Sequence, residues 1–141
     1  MGEYVSSALF VHTEDSRQFV APLQSNDIGA TVTAVTFDAL VRDAESVLKD
    51  VSHVVVSGAS PVIRAVLELA SRYDFSVGII PLPFQKDLAR TYALPGDRDQ
   101  AIALSLRQAT CRVRLIRCGD TVVLTKAVIG RLPMLDAAQD T

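Results

Sequence analysis

The chain has 141 residues, 49% of them hydrophobic, with 14 Lys and Arg against 16 Asp and Glu for a formal charge of -2. This composition fits one domain with an ordinary core, and basic residues that are scattered rather than clustered argue against nucleic acid as a partner. No apolar run approaches the roughly 18 to 20 residues a membrane span needs, and no basic stretch precedes an apolar one at the N-terminus, so the sequence reads as soluble and cytoplasmic.

In chain order, "SALFVHT" and "ATVTAVTF" are rich in apolar and β-branched residues and predict two strands, with turn chemistry in "NDIG". The intervening "EDSRQFVAPLQ" reads as a short helix ended by Pro22. Asp38 suits an N-cap, and Leu40, Ala44, Val47, Leu48 and Val51 follow on one helical face. "HVVVSG" is a nearly unbroken apolar run, as expected of a strand buried on both faces at the centre of a parallel sheet.

Ser60 then suits an N-cap and Pro61 the first helical position, ahead of a stripe formed by Val62, Val66, Leu69, Ala70 and Tyr73. "FSVGIIPL" predicts the next buried strand and "PFQKDLARTYAL" the next helix, with Phe84, Leu88 and Tyr92 on one face and Pro95 and Gly96 closing it. Asp97 and Gln100 resemble a capping box for a helix through "QAIALSLRQ". "TCRVRLIRC" and "TVVLTKAVIG", separated by Gly119-Asp120, have hairpin spacing, and "RLPMLDAAQDT" reads as a polar tail.

Alternating strands and helices predict an α/β fold: an open, mostly parallel sheet with helices on both faces, ending in a β-hairpin, over residues 1–130, with 131–141 as a flexible tail or truncated link. Such sheets bind ligands at the carboxyl ends of the strands, where strand order reverses, which draws attention to the turns after Val56 and Leu82.

Isolated chemistry-bearing residues favour ordinary roles. Cys111 and Cys118 sit at an odd separation on one predicted strand and so on opposite faces, which suits neither a disulfide nor zinc. His12 and His53 mark strand ends with no partner at ligand spacing, so no metal is implied and a surface or capping role is expected. Ser57 and Ser60 lack an identifiable base, and "SGASP" is not the Gly-x-Ser-x-Gly elbow, which argues against hydrolase chemistry. Arg112 and Arg114 share a face of one predicted strand, as in a half-exposed edge.

Two blocks together carry a resemblance. "VVVSGASPVIRAV" resembles the strand, Gly-Gly-Asp-Gly-Thr and helix of diacylglycerol kinases and related bacterial lipid kinases, which share a fold with NAD kinases. "GIIPLPFQKDLARTYALP" is similar to their Gly-Ile-Ile-Pro-Leu-Gly-Thr-Gly-Asn-Asp-Phe-Ala-Arg signature, and the spacing of the blocks matches. In the first block only Gly58 is kept. In the second, Gly78 through Leu82, Asp87, Ala89 and Arg90 are kept, while Pro83, Phe84, Gln85 and Lys86 replace Gly-Thr-Gly-Asn.

The resemblance implies a nucleotide-binding-type domain whose vestigial site comprises Ser57, Gly58, Ser60, Asp87 and Arg90. The substitutions imply that its phosphate chemistry is lost. A phosphate cradle needs converging backbone N–H groups free of side chains. Pro61 has no N–H, a capping Ser60 competes for the helix donors, and Ala59 removes the carboxylate the family places in the loop. Pro83 and Phe84 put bulk where a nucleotide approaches. Asp87 and Arg90, three apart on one helix, match the family but also suit a plain solvated pair, which is the favoured expectation.

The expectation is therefore a degenerate lipid-kinase-like domain with no catalytic residue and no cofactor of its own, acting as a binding, regulatory or assembly module. One alternative is the N-terminal half of an active lipid kinase using ATP and Mg²⁺, completed by a C-terminal domain or protein partner, since the resemblance stops where the family's β-rich domain begins. Another is a sensor of a small ligand or redox partner. The sequence is compatible with a homo-oligomer.

Overall fold

The computed structural model describes residues 4–91, 94–95, 97–108, 115–118 and 121–124. Four parallel strands, β1 (Ser7–His12), β2 (Thr31–Thr36), β3 (His53–Val56) and β4 (Ser76–Ile79), form a sheet in the order β2-β1-β3-β4. The chain moves outward from β1 to β2, then returns across β1 to continue through β3 to β4. Strand order therefore reverses between β1 and β3, which makes their carboxyl ends the topological switch point.

Helices cover both faces of this open α/β sheet. The side chains of Leu9, Val11, Val54, Val56, Val77 and Ile79 form one core with Leu40 of α2 (Phe37–Arg42) and with Ile63, Val66 and Leu67 of α4 (Ser60–Tyr73). The opposite face packs Phe10, Val32, Val55 and Ile80 against Leu23 of α1 (Val20–Gln24) and against Ala101 and Ile102 of a later helix, Arg98–Ser105. Val54, Val55 and Val56 have no exposed surface, as their unbroken apolar run predicts for a strand covered on both sides. Burying each such side chain contributes roughly 1.5–3 kcal/mol relative to leaving it in water.

Several local expectations shift. The segment before Pro22 is a 3₁₀ turn, Glu14–Phe19, and Pro22 lies within the first turn of α1, where its missing N–H breaks no helical bond. The helix assigned to an Asp38 cap starts earlier: Thr36 is the cap, its Oγ1 accepting from Ala39 N–H at 3.1 Å, because the extended strand end offers that hydroxyl to the first turn. It also breaks at Asp43, so that α2 is followed by a separate short α3 (Ala44–Val47). The buried stripe of α4 centres on Ile63, Val66 and Leu67, with Val62, Leu69, Ala70 and Tyr73 at its flanks.

After β4 come α5 (Lys86–Thr91) and α6 (Arg98–Ser105), the latter capped by Asp97 accepting from Gln100 N–H at 3.0 Å. Strands β5 (Leu115–Cys118) and β6 (Thr121–Leu124) pair antiparallel. The intervening Gly119-Asp120, together with Cys111, Arg112, Arg114 and the 131–141 tail, lies outside the described residues. No helix among the described residues is long and apolar enough to cross a membrane.

The C-terminal end of α6 rests directly on β4. A Cβ built on Gly78 would come within 2.8 Å of both Cα and C of Ser105 and nearer still to its carbonyl oxygen, so this close approach requires glycine. Beside it His53, expected at the surface or in a cap, is instead 2% exposed. It begins a strand whose every residue is buried.

Candidate functional site at the carboxyl edge of the sheet

The turn after β3 is built from the strand outward. Ser57 N–H donates to Val11 O at 3.3 Å, which continues the β1–β3 ladder one step beyond Val56. Ala59 is extended (φ -65, ψ 161) and its carbonyl accepts from Val62 N–H at 2.9 Å and Ile63 N–H at 3.2 Å, so Ala59, not Ser60, is the N-cap of α4. Ser60 is the first helical residue and exposed, Pro61 the second, and no side chain caps this end. The competition for helix donors expected from a Ser60 hydroxyl is therefore not made.

The carbonyls of the turn are held from both sides. Ser16 Oγ donates to Ser57 O at 2.7 Å and accepts from Thr13 N–H at 2.9 Å, tying the loop after β1 to the loop after β3. Gln85 Nε2 donates to Gly58 O at 2.7 Å, and Gln85 Oε1 accepts from Leu82 N–H at 2.9 Å, tying the loop after β3 to the loop after β4. A carboxamide carries both a donor and an acceptor, so one side chain meets the opposite needs of two loops. Gly58 is buried where these segments converge: an added Cβ would lie 3.2 Å from Val62 Cγ1 and 3.4 Å from Thr13 Cγ2.

Sequence reasoning picked out neither Ser16 nor Gln85. Ser16 stands three residues after Thr13, the spacing of a capping pair, and Gln85 stands where the resembled signature has glycine. Those were the available signals. Two hydroxyls at the same switch point, Thr13 Oγ1 and Ser57 Oγ, are buried with no hydrogen-bond partner among the described residues. Ser57 has no exposed surface, and among the described residues no side chain hydrogen-bonds its hydroxyl.

Asp87 and Arg90 follow Gln85 on α5. They pair with each other at 3.6 Å along α5, their side chains 99% and 78% exposed, as a solvated i,i+3 pair. Phe84, expected on one helical face with Leu88 and Tyr92, lies in the turn before α5, which starts only at Lys86, and is 70% exposed; Tyr92 lies outside the described residues. Of the five predicted site residues, Ser57, Gly58 and Ser60 are neighbours in one turn. Asp87 and Arg90 make no described contact with it.

Beside the turn, a cleft of about 590 Å³ opens between the carboxyl ends of β1 and β2. The first loop contributes His12, Thr13, Glu14 and Arg17, and the second Thr36, Phe37 and Asp38. Arg17 pairs with no carboxylate among the described residues, while the His12 ring stacks on Phe10 with centroids 5.5 Å apart. The volume lies within the range of small-molecule sites, and the lining mixes one aromatic wall with charges of both signs.

His53 lies away from this edge and is fully committed. Its Nε2 lies 2.6 Å from Ser105 O and its Nδ1 2.6 Å from Ser76 Oγ. A carbonyl only accepts, so Nε2 carries the proton, and in the neutral ring Nδ1 accepts from the Ser76 hydroxyl. Burial lowers its pKa below the ordinary 6.5, with the bond to the Ser105 carbonyl opposing that shift.

These residues do not fit a bound Mg²⁺–nucleotide. Ala59 and Pro61 give the turn neither a carboxylate nor a complete set of donors, and Gln85 already occupies the Gly58 carbonyl and Leu82 N–H. No protein-family model matches the chain, and no curated protein sequence matches it.

Proposed function

We propose that this chain is a degenerate relative of the nucleotide-binding-type domain of diacylglycerol and bacterial lipid kinases, cytoplasmic, non-catalytic by itself and retained as a binding, regulatory or assembly module. The observation that carries this reading is the Gln85 clasp between Gly58 and Leu82. The two loops that resemble the family's signatures lie side by side at the carboxyl edge, and a side chain of the protein satisfies the backbone groups between them. Phosphoryl transfer depends on positioning and charge compensation, and this edge offers neither to a triphosphate. The test is turnover: the purified chain with ATP, Mg²⁺ and diacylglycerol should release no ADP above background, and sustained release abolished by Gly58→Val would overturn the reading.

A second reading, that the module senses a small ligand, is favoured by the cleft between the ends of β1 and β2. Arg17, Phe37 and the carboxylates of Glu14 and Asp38 suit a small polar molecule with an apolar portion better than a triphosphate. A thermal-shift screen of small metabolites separates the two: a stabilising compound whose effect is lost in Arg17→Ala supports the sensor, and the absence of any hit leaves the assembly role.

A further inference from the structure

The cleft between the ends of β1 and β2 is lined by side chains of both charges that do not neutralise one another. Glu14 and Arg17 lie three apart on the 3₁₀ turn, where residues at that spacing eclipse, yet they form no ion pair. Asp38, on the second loop, likewise pairs with no basic group among the described residues. Phe37, beside it in sequence, gives the same cleft an aromatic surface.

Both loops are held without using these groups. Ser16 Oγ accepts from Thr13 N–H at 2.9 Å in the first, and Thr36 Oγ1 accepts from Ala39 N–H at 3.1 Å in the second. The charged side chains therefore remain open to a ligand, and the walls need little reordering to receive one.

We infer that the cleft takes a small zwitterion with an apolar side chain, an α-amino acid in chemical class, with its carboxylate on Arg17, its ammonium on Glu14 and Asp38, and its side chain against Phe37. This rests on the small-ligand reading above and names the class of ligand. Charge selects it: a simple anion would meet Arg17 but face two carboxylates, and a simple cation would meet the carboxylates but face the guanidinium. A molecule carrying both charges a few bonds apart meets all three side chains with the opposite sign. The planar guanidinium also matches a carboxylate through two parallel hydrogen bonds, and a cleft of about 590 Å³ has room for a molecule of this size.

Nuclear magnetic resonance titration of the full isotope-labelled chain tests this with three probes of one shape: L-phenylalanine, phenethylamine, which lacks the carboxylate, and hydrocinnamate, which lacks the ammonium. Phenylalanine should shift the amides of Arg17 and Phe37 saturably, and each single-charge probe should bind about fivefold or more weakly. Arg17 and Asp38 are exposed, so their substitution leaves the fold intact. Arg17→Gln should lower phenylalanine to the affinity of phenethylamine, and Asp38→Asn should weaken phenylalanine without weakening hydrocinnamate. Equal or tighter binding of a single-charge probe, or phenylalanine binding that neither substitution changes, would overturn the zwitterion and leave the small-ligand reading standing. Silence at the cleft amides with all three probes would also overturn it, and the wider metabolite screen then decides the sensor reading separately.

Discussion

Gln85 and Gly58, 27 residues apart in sequence, are joined by a 2.7 Å hydrogen bond from a side-chain amide to a backbone carbonyl, and the same amide group closes on Leu82 N–H at 2.9 Å. The bond matters because Gly58 lies in the loop after β3, at the switch point, and Leu82 in the loop after the neighbouring β4. Gln85→Ala should leave both backbone groups unpaired and cost about 1–3 kcal/mol, read as a lower urea midpoint. Faster amide exchange at Leu82 should accompany it; an unchanged rate there would mean that the clasp does not hold the loop.

Ser16 holds the neighbouring carbonyl, Ser57 O, at 2.7 Å, and Ser16→Ala should likewise destabilise by about 1–3 kcal/mol. Because the two clasps grip adjacent residues of one turn, their effects should not add. A double-mutant cycle should show coupling of about 0.5 kcal/mol or more, and strict additivity would mean that the turn does not respond as a unit.

Gly78→Ala should destabilise by at least about 2 kcal/mol, since the new methyl group meets the backbone of Ser105 and α6 must move off β4. Chemical denaturation checks this. A variant as stable as the parent would show that the α6 end adapts at little cost.

Stability should fall in acid in a way that depends on His53. Burial holds its pKa below 6.5, so the unfolded chain takes up the proton more readily than the folded one. The stabilisation is fully present above pH 6.5 and is lost as pH drops through the lower folded value. His53→Gln, able to donate to Ser105 O and accept from Ser76 Oγ, should flatten that part of the urea-midpoint profile. Identical slopes for the two proteins would contradict it.

The architecture was legible where one pattern allowed one structure. The unbroken Val54–Val56 run with glycine two residues on permits little except a central buried strand, and the helix after it carries its own apolar stripe. Helix starts were harder to place, because Thr36 competes with Asp38, and Ala59 with Ser60, within a residue or two, and strand geometry decides between them. His53 was misplaced since a histidine beside a lysine- and aspartate-bearing loop reads as exposed, and its partners, Ser76 and Ser105, are distant in sequence. The site was half legible: the Ser57–Ser60 turn is where the pattern put it, but Ser16 and Gln85 act through long-range bonds to backbone carbonyls, which leave no periodicity to read. Asp87 and Arg90 entered through the resemblance, and in the structure they pair with each other in solvent.

The most direct measurement of the central claim is isothermal titration of the chain with ATP and Mg²⁺, beside Gln85→Gly and the pair Asp87→Asn with Arg90→Gln. A turn closed by its own side chains predicts no binding heat from the unmodified chain or from the α5 pair, with any gained affinity confined to Gln85→Gly. Micromolar binding by the unmodified chain would contradict the account, and its loss on substituting Asp87 and Arg90 would return those residues to the site.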